Sequence, residues 1–339
     1  MLREHGYHPL TVADVVDETA DTRSFVLEIP PALEEAFAYA AGQFCSFRAT
    51  IGGGEAVVRC YSMSSSPHTG DPFTVTVKRV PGGKMSTWMN DTLAPGDTID
   101  VTPPAGIFVL RAAATPIVAF AGGSGITPIL SIIKTALVTT AREIALVYAN
   151  RGSGSVIFAS ALEHLRARSG GRLSVHHHLD SEKGFLDTAA CAALVGDRTQ
   201  ADFYICGPGP YMEVVQAGLD QRGVDPGRLF IERFELSDEA PTASVESETE
   251  SIVIRLEGRK HRVGYEPGDT ILEAARRAGL KPPFNCQAGN CATCMAYLDA
   301  GKATMRVNNA LHADEVEEGW VLTCQAIPTS REVVVDYDR

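Results

Sequence analysis

The hydrophobic rhythm of the chain changes twice along its length, and each rhythm predicts a different architecture. Over the first hundred residues, runs at 11–16, 24–29, 43–48, 57–61, 73–80 and 97–101 are short, β-rich and separated by Gly, Pro, Asp and Asn. That pattern predicts a small antiparallel β-barrel. From residue 115 the apolar runs become continuous and alternate with helical segments. Strands are expected at 115–121, 143–150, 172–178 and 202–206, and helices at 129–137, 160–168 and 211–222. Such alternation gives an α/β unit with a mostly parallel sheet and a ligand at the C-terminal ends of its strands. Beyond residue 251 two strands, 252–256 and 259–263, precede a helix at 270–278 that Thr270 is suited to cap, which reads as an α+β domain.

Between the second and third rhythms lies a stretch with six carboxylates and no basic side chain, residues 235–250. It carries too little apolar surface to offset the entropy of ordering and reads as a linker. The expected organisation is therefore multidomain, with boundaries at 1–110, 111–234, 235–250 and 251–339. The formal net charge of -12 argues against a nucleic-acid partner, which would require an excess of Lys and Arg. No apolar run reaches membrane-spanning or signal-peptide length, so no membrane partner and a cytoplasmic location are expected. Cys45, Cys60, Cys191 and Cys206 then need no disulfide partners.

The other four cysteines, Cys286, Cys291, Cys294 and Cys324, follow the spacing Cys-x4-Cys-x2-Cys-x29-Cys. Three thiolates on one short loop and a fourth from a distant segment can surround two irons tetrahedrally, the pattern of a 2Fe-2S cluster. Zinc more often uses two Cys-x2-Cys pairs or added histidines, and a disulfide framework does not suit a reducing compartment. The loop around Gly289 is built of small residues, letting backbone N–H groups approach sulfur. With its strands and helix, the segment from about 251 to 339 resembles plant-type ferredoxin, a β-grasp domain. Gln287 stands where many such ferredoxins have Arg or another polar residue.

Other motifs punctuate the first two units. Gly122-Gly123-Ser124-Gly125-Ile126-Thr127-Pro128 joins a buried strand to a helix, where free N–H groups and the helix dipole favour a pyrophosphate. Alone, such a turn is a weak signal. Cys206-Gly207-Pro208 ends the fourth strand of the α/β unit. In the barrel, Arg59-Cys60-Tyr61-Ser62 sets Arg59 and Tyr61 on one strand face, and a Gly-rich turn at 81–88 opens a short helix.

Taken together, these motifs resemble the ferredoxin-NADP reductase superfamily. Their order resembles that of oxygenase reductases with a C-terminal ferredoxin domain, of the kind that serve ketosteroid 9α-hydroxylation and phenylacetyl-CoA epoxidation. Residues 146–151, 155–158, 232–234 and 319–325 add to the likeness. The resemblance implies that Arg59 holds the FAD pyrophosphate, Tyr61 stacks on the isoalloxazine and Ser62 hydrogen-bonds near flavin N5. Lys78, Gly83, Lys84, Met85 and Ser86 would complete the FAD site, with Ser86 contributing its hydroxyl. Gly122, Gly123, Gly125, Ile126, Thr127 and Pro128 would bind the pyrophosphate of the nicotinamide nucleotide. Asn150 and Arg151 would join that site, and Cys206, Gly207 and Pro208 would border the nicotinamide. Ser62 and Cys206 would flank the hydride path, with Cys206 orienting rather than attacking, and Phe234 would cover the flavin until nicotinamide arrives.

Electron number supports this assignment of cofactors. Reduced nicotinamide gives up two electrons as hydride and a 2Fe-2S cluster takes one, so FAD must mediate. The expected function is the reductase component of a multicomponent oxygenase, with a terminal oxygenase of Rieske type, acting on a steroid or aromatic ring, as protein acceptor. An NADPH-dependent reductase of a di-iron monooxygenase or epoxidase is the alternative. A redox sensor, or a dehydrogenase component working in reverse, fits less well. NADH is the expected donor, although no Asp or Glu follows the strand ending at Asn150, and Arg151, Ser153 and Ser155 could meet a 2′-phosphate. His176 and His178 share a strand face, but a polar strand end accounts for them more simply than a metal. Asp336, Tyr337 and Asp338 suit either a docking surface or a solvated terminus.

Overall fold

A computed structural model describes residues 6–54, 56–234, 247–284, 287, 289 and 292–339. Contacts divide the chain into two compact units, one of Met1–Pro104 with Phe108–Glu235 and one of Ala105–Ile107 with Leu236–Arg339.

The first unit begins with six antiparallel strands, β1 (His8–Thr19), β2 (Thr22–Glu28), β3 (Phe44–Thr50), β4 (Ala56–Ser62), β5 (Thr74–Lys78) and β6 (Thr98–Val101). Their order is β4-β3-β6-β1-β2-β5, and an isolated bridge between Met63 and Val75 joins the two edges into a barrel. Alternation turns Leu10, Phe25, Phe47, Val75 and Val77 inward, and helix α1 (Lys84–Thr92) adds Met85 and Met89. Each of these larger side chains contributes roughly 1.5–3 kcal/mol by leaving water.

The same unit continues with five parallel strands, β7 (Ile117–Gly122), β8 (Ile144–Asn150), β9 (Leu173–Leu179), β10 (Asp202–Cys206) and β11 (Leu229–Glu232). They lie in the order β11-β10-β7-β8-β9. The direction of winding reverses between β7 and β10, which opens a crevice at their C-terminal ends. Helices α2 (Ile126–Thr139), α3 (Ala159–Arg168), α4 (Asp180–Lys183), α5 (Thr188–Val195) and α6 (Gly209–Gln221) surround the sheet. Helix α2 is apolar on most sides because it is buried between sheet and barrel. Three of its polar side chains meet the barrel unit. Ser131 Oγ donates to Ser65 O at 2.6 Å, the Thr135 and Ser66 hydroxyls are 2.7 Å apart, and Lys134 pairs with Asp71 at 2.7 Å.

At the opposite end of the sheet, buried Asp202 accepts from Arg142 at 2.6 Å and Arg111 at 3.2 Å. Its two oxygens are thus matched by guanidinium donors, the condition under which a buried carboxylate is tolerated.

The second unit holds a mixed sheet of β12 (Ser251–Leu256), β13 (Arg259–Gly264), β14 (Met295–Ala300), β16 (Trp320–Leu322) and β18 (Glu332–Asp336), in the order β13-β12-β18-β14-β16. Strands β15 (Ala303–Met305) and β17 (Ala326–Pro328) form a separate pair. Helix α7 (Ile271–Arg277) starts in a full capping box, with Glu273 N–H donating to Thr270 Oγ1 and the Glu273 carboxylate accepting from Thr270 N–H. The helix packs Ile271, Ala274 and Ala275 onto the sheet, completing a β-grasp core with Ile252, Ile254, Val333 and Val335. Of the stretch expected as a linker, 235–246 lie outside the described residues. Ser247 and Thr249 donate to Pro328 O and Ser330 O, both at 2.6 Å, so this part is tied to the ferredoxin-like sheet.

Asp336, Tyr337 and Asp338 have structural partners, with Asp338 itself exposed. Asp336 pairs with Arg255 at 3.1 Å, the Tyr337 hydroxyl turns inward, and Asp338 accepts from Glu257 and Gly258 N–H at 2.7 and 2.9 Å.

Candidate functional site

The crevice between β7 and β10 is carved by glycine. A Cβ on Gly125 would lie 2.1 Å from Cys206 O, one on Gly207 3.0 Å from the Gly122 Cα, and one on Gly122 2.9 Å from the Pro208 ring. The turns after β7 and β10 therefore touch backbone to backbone, and the Tyr211 ring packs under both. Ile126, Thr127 and Pro128 are buried in the first turn of α2, and Thr127 Oγ1 donates to Ser124 O at 3.1 Å. Gly123 faces open space, and Pro208 is exposed.

Several buried polar atoms around this crevice lack partners among the described residues. They are both side-chain polar atoms of Asn150 at the end of β8, the Tyr211 hydroxyl and Glu232 Oε2, and Ser62 Oγ at the end of β4 in the barrel is a further one. Buried polar groups are nearly always satisfied, so a cluster of orphans beside a glycine-lined turn is the mark of a site shaped for a polar ligand. This is the observation on which a dinucleotide and a flavin fit these residues.

Electrostatics characterise the same spot. Burial pushes the Cys206 thiol well up, and Glu232 adds to the effect, so Cys206 is a neutral thiol. Burial likewise raises the Glu232 carboxyl well above its ordinary range, with Cys60 contributing, and favours its protonated form. Glu232 ends β11, next to β10 in parallel register, which pairs it with Cys206. Its chemical role could not be read from sequence, because the neighbouring strand supplies the desolvation.

The expected flavin residues are distributed along the barrel wall. Tyr61 packs edge-on against Phe47 at 5.5 Å, and burial raises its hydroxyl. Arg59 is exposed, its guanidinium donating to Val58 O at 2.7 Å. Lys78 stands 3.7 Å from Asp21. At the turn into α1, Gly83 is half-buried and Lys84 exposed, but Met85 points into the barrel core and leaves only its backbone for a ligand. Ser86 Oγ accepts from Val80 N–H at 3.1 Å, which fixes its place in the turn and leaves its own proton to donate. Phe234 is 45 % exposed.

At the far end of the crevice Arg151 is exposed, and Ser155 Oγ is bonded within its own loop, accepting from Gly152 N–H at 3.2 Å. Parallel register sets Leu179 beside Asn150, and Ser181 N–H donates to Arg151 O at 2.9 Å. Asp180 therefore stands at the end of the neighbouring strand, beside Arg151. A search for an acid after β8 misses it because the acid follows β9. His178 Nε2 lies 2.9 Å from Gly184 O and His176 is exposed. Among the described residues no three His, Cys, Asp or Glu side chains are grouped to hold a metal.

Of the four expected cluster ligands, Cys286 and Cys291 lie outside the described residues. Cys294 and Cys324 are 2 % and 5 % exposed, and Cys324 N–H donates to Cys294 Sγ at 3.5 Å. Amide donation to a ligating sulfur is what a buried thiolate cluster requires. Gly289 has φ +75° and a Cβ there would meet Val307 O at 2.7 Å, so the ligand loop needs glycine for both conformation and space. The Gln287 side chain engages helix α7. Its oxygen accepts from Arg276 at 3.0 Å, and the Gln287 carbonyl accepts from Gln325 at 2.7 Å.

Comparison with known proteins follows these divisions. Residues 9–110 match the oxidoreductase FAD-binding domain, 120–217 the oxidoreductase NAD-binding domain, and 254–329 the 2Fe-2S iron-sulfur cluster binding domain. The chain is 36% identical over 337 residues to the ferredoxin reductase component of 3-ketosteroid-9-alpha-monooxygenase from Rhodococcus rhodochrous, covering 97% of this chain and 96% of that one. It is 34% identical over 353 residues to a component of 1,2-phenylacetyl-CoA epoxidase from Escherichia coli, covering 98% of each. The fold aligns with phthalate dioxygenase reductase at a TM-score of 0.60 and 24% identity, covering 98% of both chains.

Proposed function

The chain belongs to the family of reductase components of multicomponent monooxygenases, with FAD-binding, NAD-binding and 2Fe-2S domains, and from this premise we propose that it carries electrons from NADH to a Rieske-type steroid or aromatic-ring oxygenase. The single observation that carries the choice of relative is whole-length similarity to the ketosteroid monooxygenase reductases, at 36% and 38% identity.

When bound, FAD converts a two-electron hydride into single electrons that the cluster can carry. The residues of the chain position and tune. Gly123 leaves room for the dinucleotide backbone, Gly122, Gly125 and Gly207 let the two turns beside it pack together, and the Asn150 amide and Tyr211 hydroxyl offer it hydrogen bonds. Ser62 offers a hydroxyl at the flavin edge, the neutral Cys206 thiol orients the nicotinamide without reacting, and the Glu232 carboxyl holds a proton nearby. Arg59, Tyr61 and the turn at Gly83–Ser86 hold FAD, with Phe234 over its exposed face. Cys286, Cys291, Cys294 and Cys324 hold the cluster. The working division is 1–110 for flavin, 111–234 for nicotinamide nucleotide, 235–250 as connection and 251–339 for the cluster.

Asp180 supports NADH as donor. A carboxylate at a strand end can accept from the ribose 2′-hydroxyl and repels a 2′-phosphate. Comparing kcat/KM for the two donors tests this, and Asp180→Ser should narrow the difference. A native preference for NADPH overturns the donor assignment. The acceptor is tested by reconstitution with a steroid or aromatic-ring oxygenase component and, in parallel, an epoxidase component, measuring product formed per NADH consumed. Productive turnover with the epoxidase alone would replace the Rieske assignment with the di-iron one.

A further inference from the structure

Tyr337 leaves the end of β18, the central strand of the ferredoxin-like sheet, and turns its hydroxyl towards the interior. That hydroxyl donates to Thr323 Oγ1 at 2.8 Å, and Thr323 Oγ1 donates in turn to Cys294 O at 2.8 Å. Thr323 is fully buried and directly precedes Cys324, and its own N–H donates to the same Cys294 carbonyl at 3.1 Å. Cys324 N–H then reaches Cys294 Sγ at 3.5 Å. Two hydroxyls and two amides thus fasten the segment bearing one expected ligand to the segment bearing another, and Tyr337 anchors this chain to the sheet through its N–H to Arg255 O at 3.0 Å.

We propose that Tyr337 is a positioning residue for the 2Fe-2S cluster, acting through Thr323 to hold the Cys294 and Cys324 loops in ligating geometry. A hydroxyl chain directed at the Cys294 carbonyl polarises along its length, so the end of the chain is felt at the ligand. Its O–H dipoles also point their positive ends towards the loop and favour the extra negative charge of a reduced cluster.

The inference rests on Cys294 and Cys324 being cluster ligands, and the test separates the two. Cys324→Ser in the full-length holoprotein should abolish the normal cluster spectrum, and failure to do so sinks the ligand assignment. Tyr337→Phe keeps the ring and removes only the hydroxyl. It should retain FAD and ferricyanide reduction, while iron loss to a chelator accelerates about 3–10-fold and the cluster midpoint potential moves negative. Thr323→Val should reproduce both changes and Thr323→Ser should restore wild-type values. Wild-type potential and iron-loss rate in Tyr337→Phe would overturn the proposal, as would equal behaviour of the Val and Ser variants. If Tyr337→Phe assembles no cluster, the Thr323 pair decides by the same two readouts.

Discussion

Gly125 and Cys206 occupy adjoining backbone with no room for a methyl group between them: a Cβ on the first would stand 2.1 Å from the carbonyl oxygen of the second. The contact joins the turns after β7 and β10, from which the proposed nicotinamide site is built. Gly125→Ala should therefore lower kcat/KM for NADH by roughly 100-fold or more, about 2.7 kcal/mol, because backbone must shift. Gly154→Ala, at a position with nothing within 4 Å, should leave it unchanged. Steady-state kinetics of the two variants check the contrast.

Glu232 makes the stability of its unit depend on pH. Its carboxyl is raised by burial and by Cys60, so the fold prefers the protonated form. Its contribution is fully present below the unfolded value near 4.5 and is lost as pH rises towards the folded value. Glu232→Gln should gain Tm relative to wild type as pH is raised from about 5 to 8. Thermal unfolding across that range is the check, and a constant Tm difference would refute the buried-acid assignment.

Asp202 should be among the costly single sites. Asp202→Asn leaves Arg142 buried without its anionic partner, a loss of about 3–5 kcal/mol. Denaturant unfolding should report it in the flavin and nucleotide unit, while the midpoint followed by cluster absorbance stays at the wild-type value.

Cutting after Asp238 should leave a yellow protein that passes electrons from NADH to ferricyanide but cannot serve the oxygenase. Flavin and nucleotide motifs end by residue 234 and the cluster ligands begin at 286. Cys291→Ser in the full chain should behave alike, keeping FAD and losing iron. Full oxygenase turnover by the truncated form would disprove a path through the cluster, and failure to bind FAD would disprove the boundary.

The three architectures were legible because each has its own apolar period, and the cluster and glycine motifs because their spacing is local. Thr270 was readable as a cap from one residue type, and the capping box with Glu273 bears this out. What sequence concealed depends on neighbours distant along the chain. Met85 belongs to a motif, yet its side chain fills the barrel core. Asp180 follows the strand beside the one where an acid was sought, and only the parallel register of β8 and β9 brings it next to Arg151. Tyr337 gave no sign of its role, because a tyrosine near a chain end is informative only once β18 is known to be the central strand.

The unequal crowding around the glycines also bears on evolvability. Gly122, Gly125 and Gly207 tolerate no added atom, whereas Gly154, in the loop after β8 near the far end of the same crevice, meets nothing within 4 Å. Mutational drift is thus closed where the turns after β7 and β10 meet and open in the loop after β8. Under the proposed donor assignment, the loops around Asp180 are then free to change nucleotide preference while the packed turns are inherited intact.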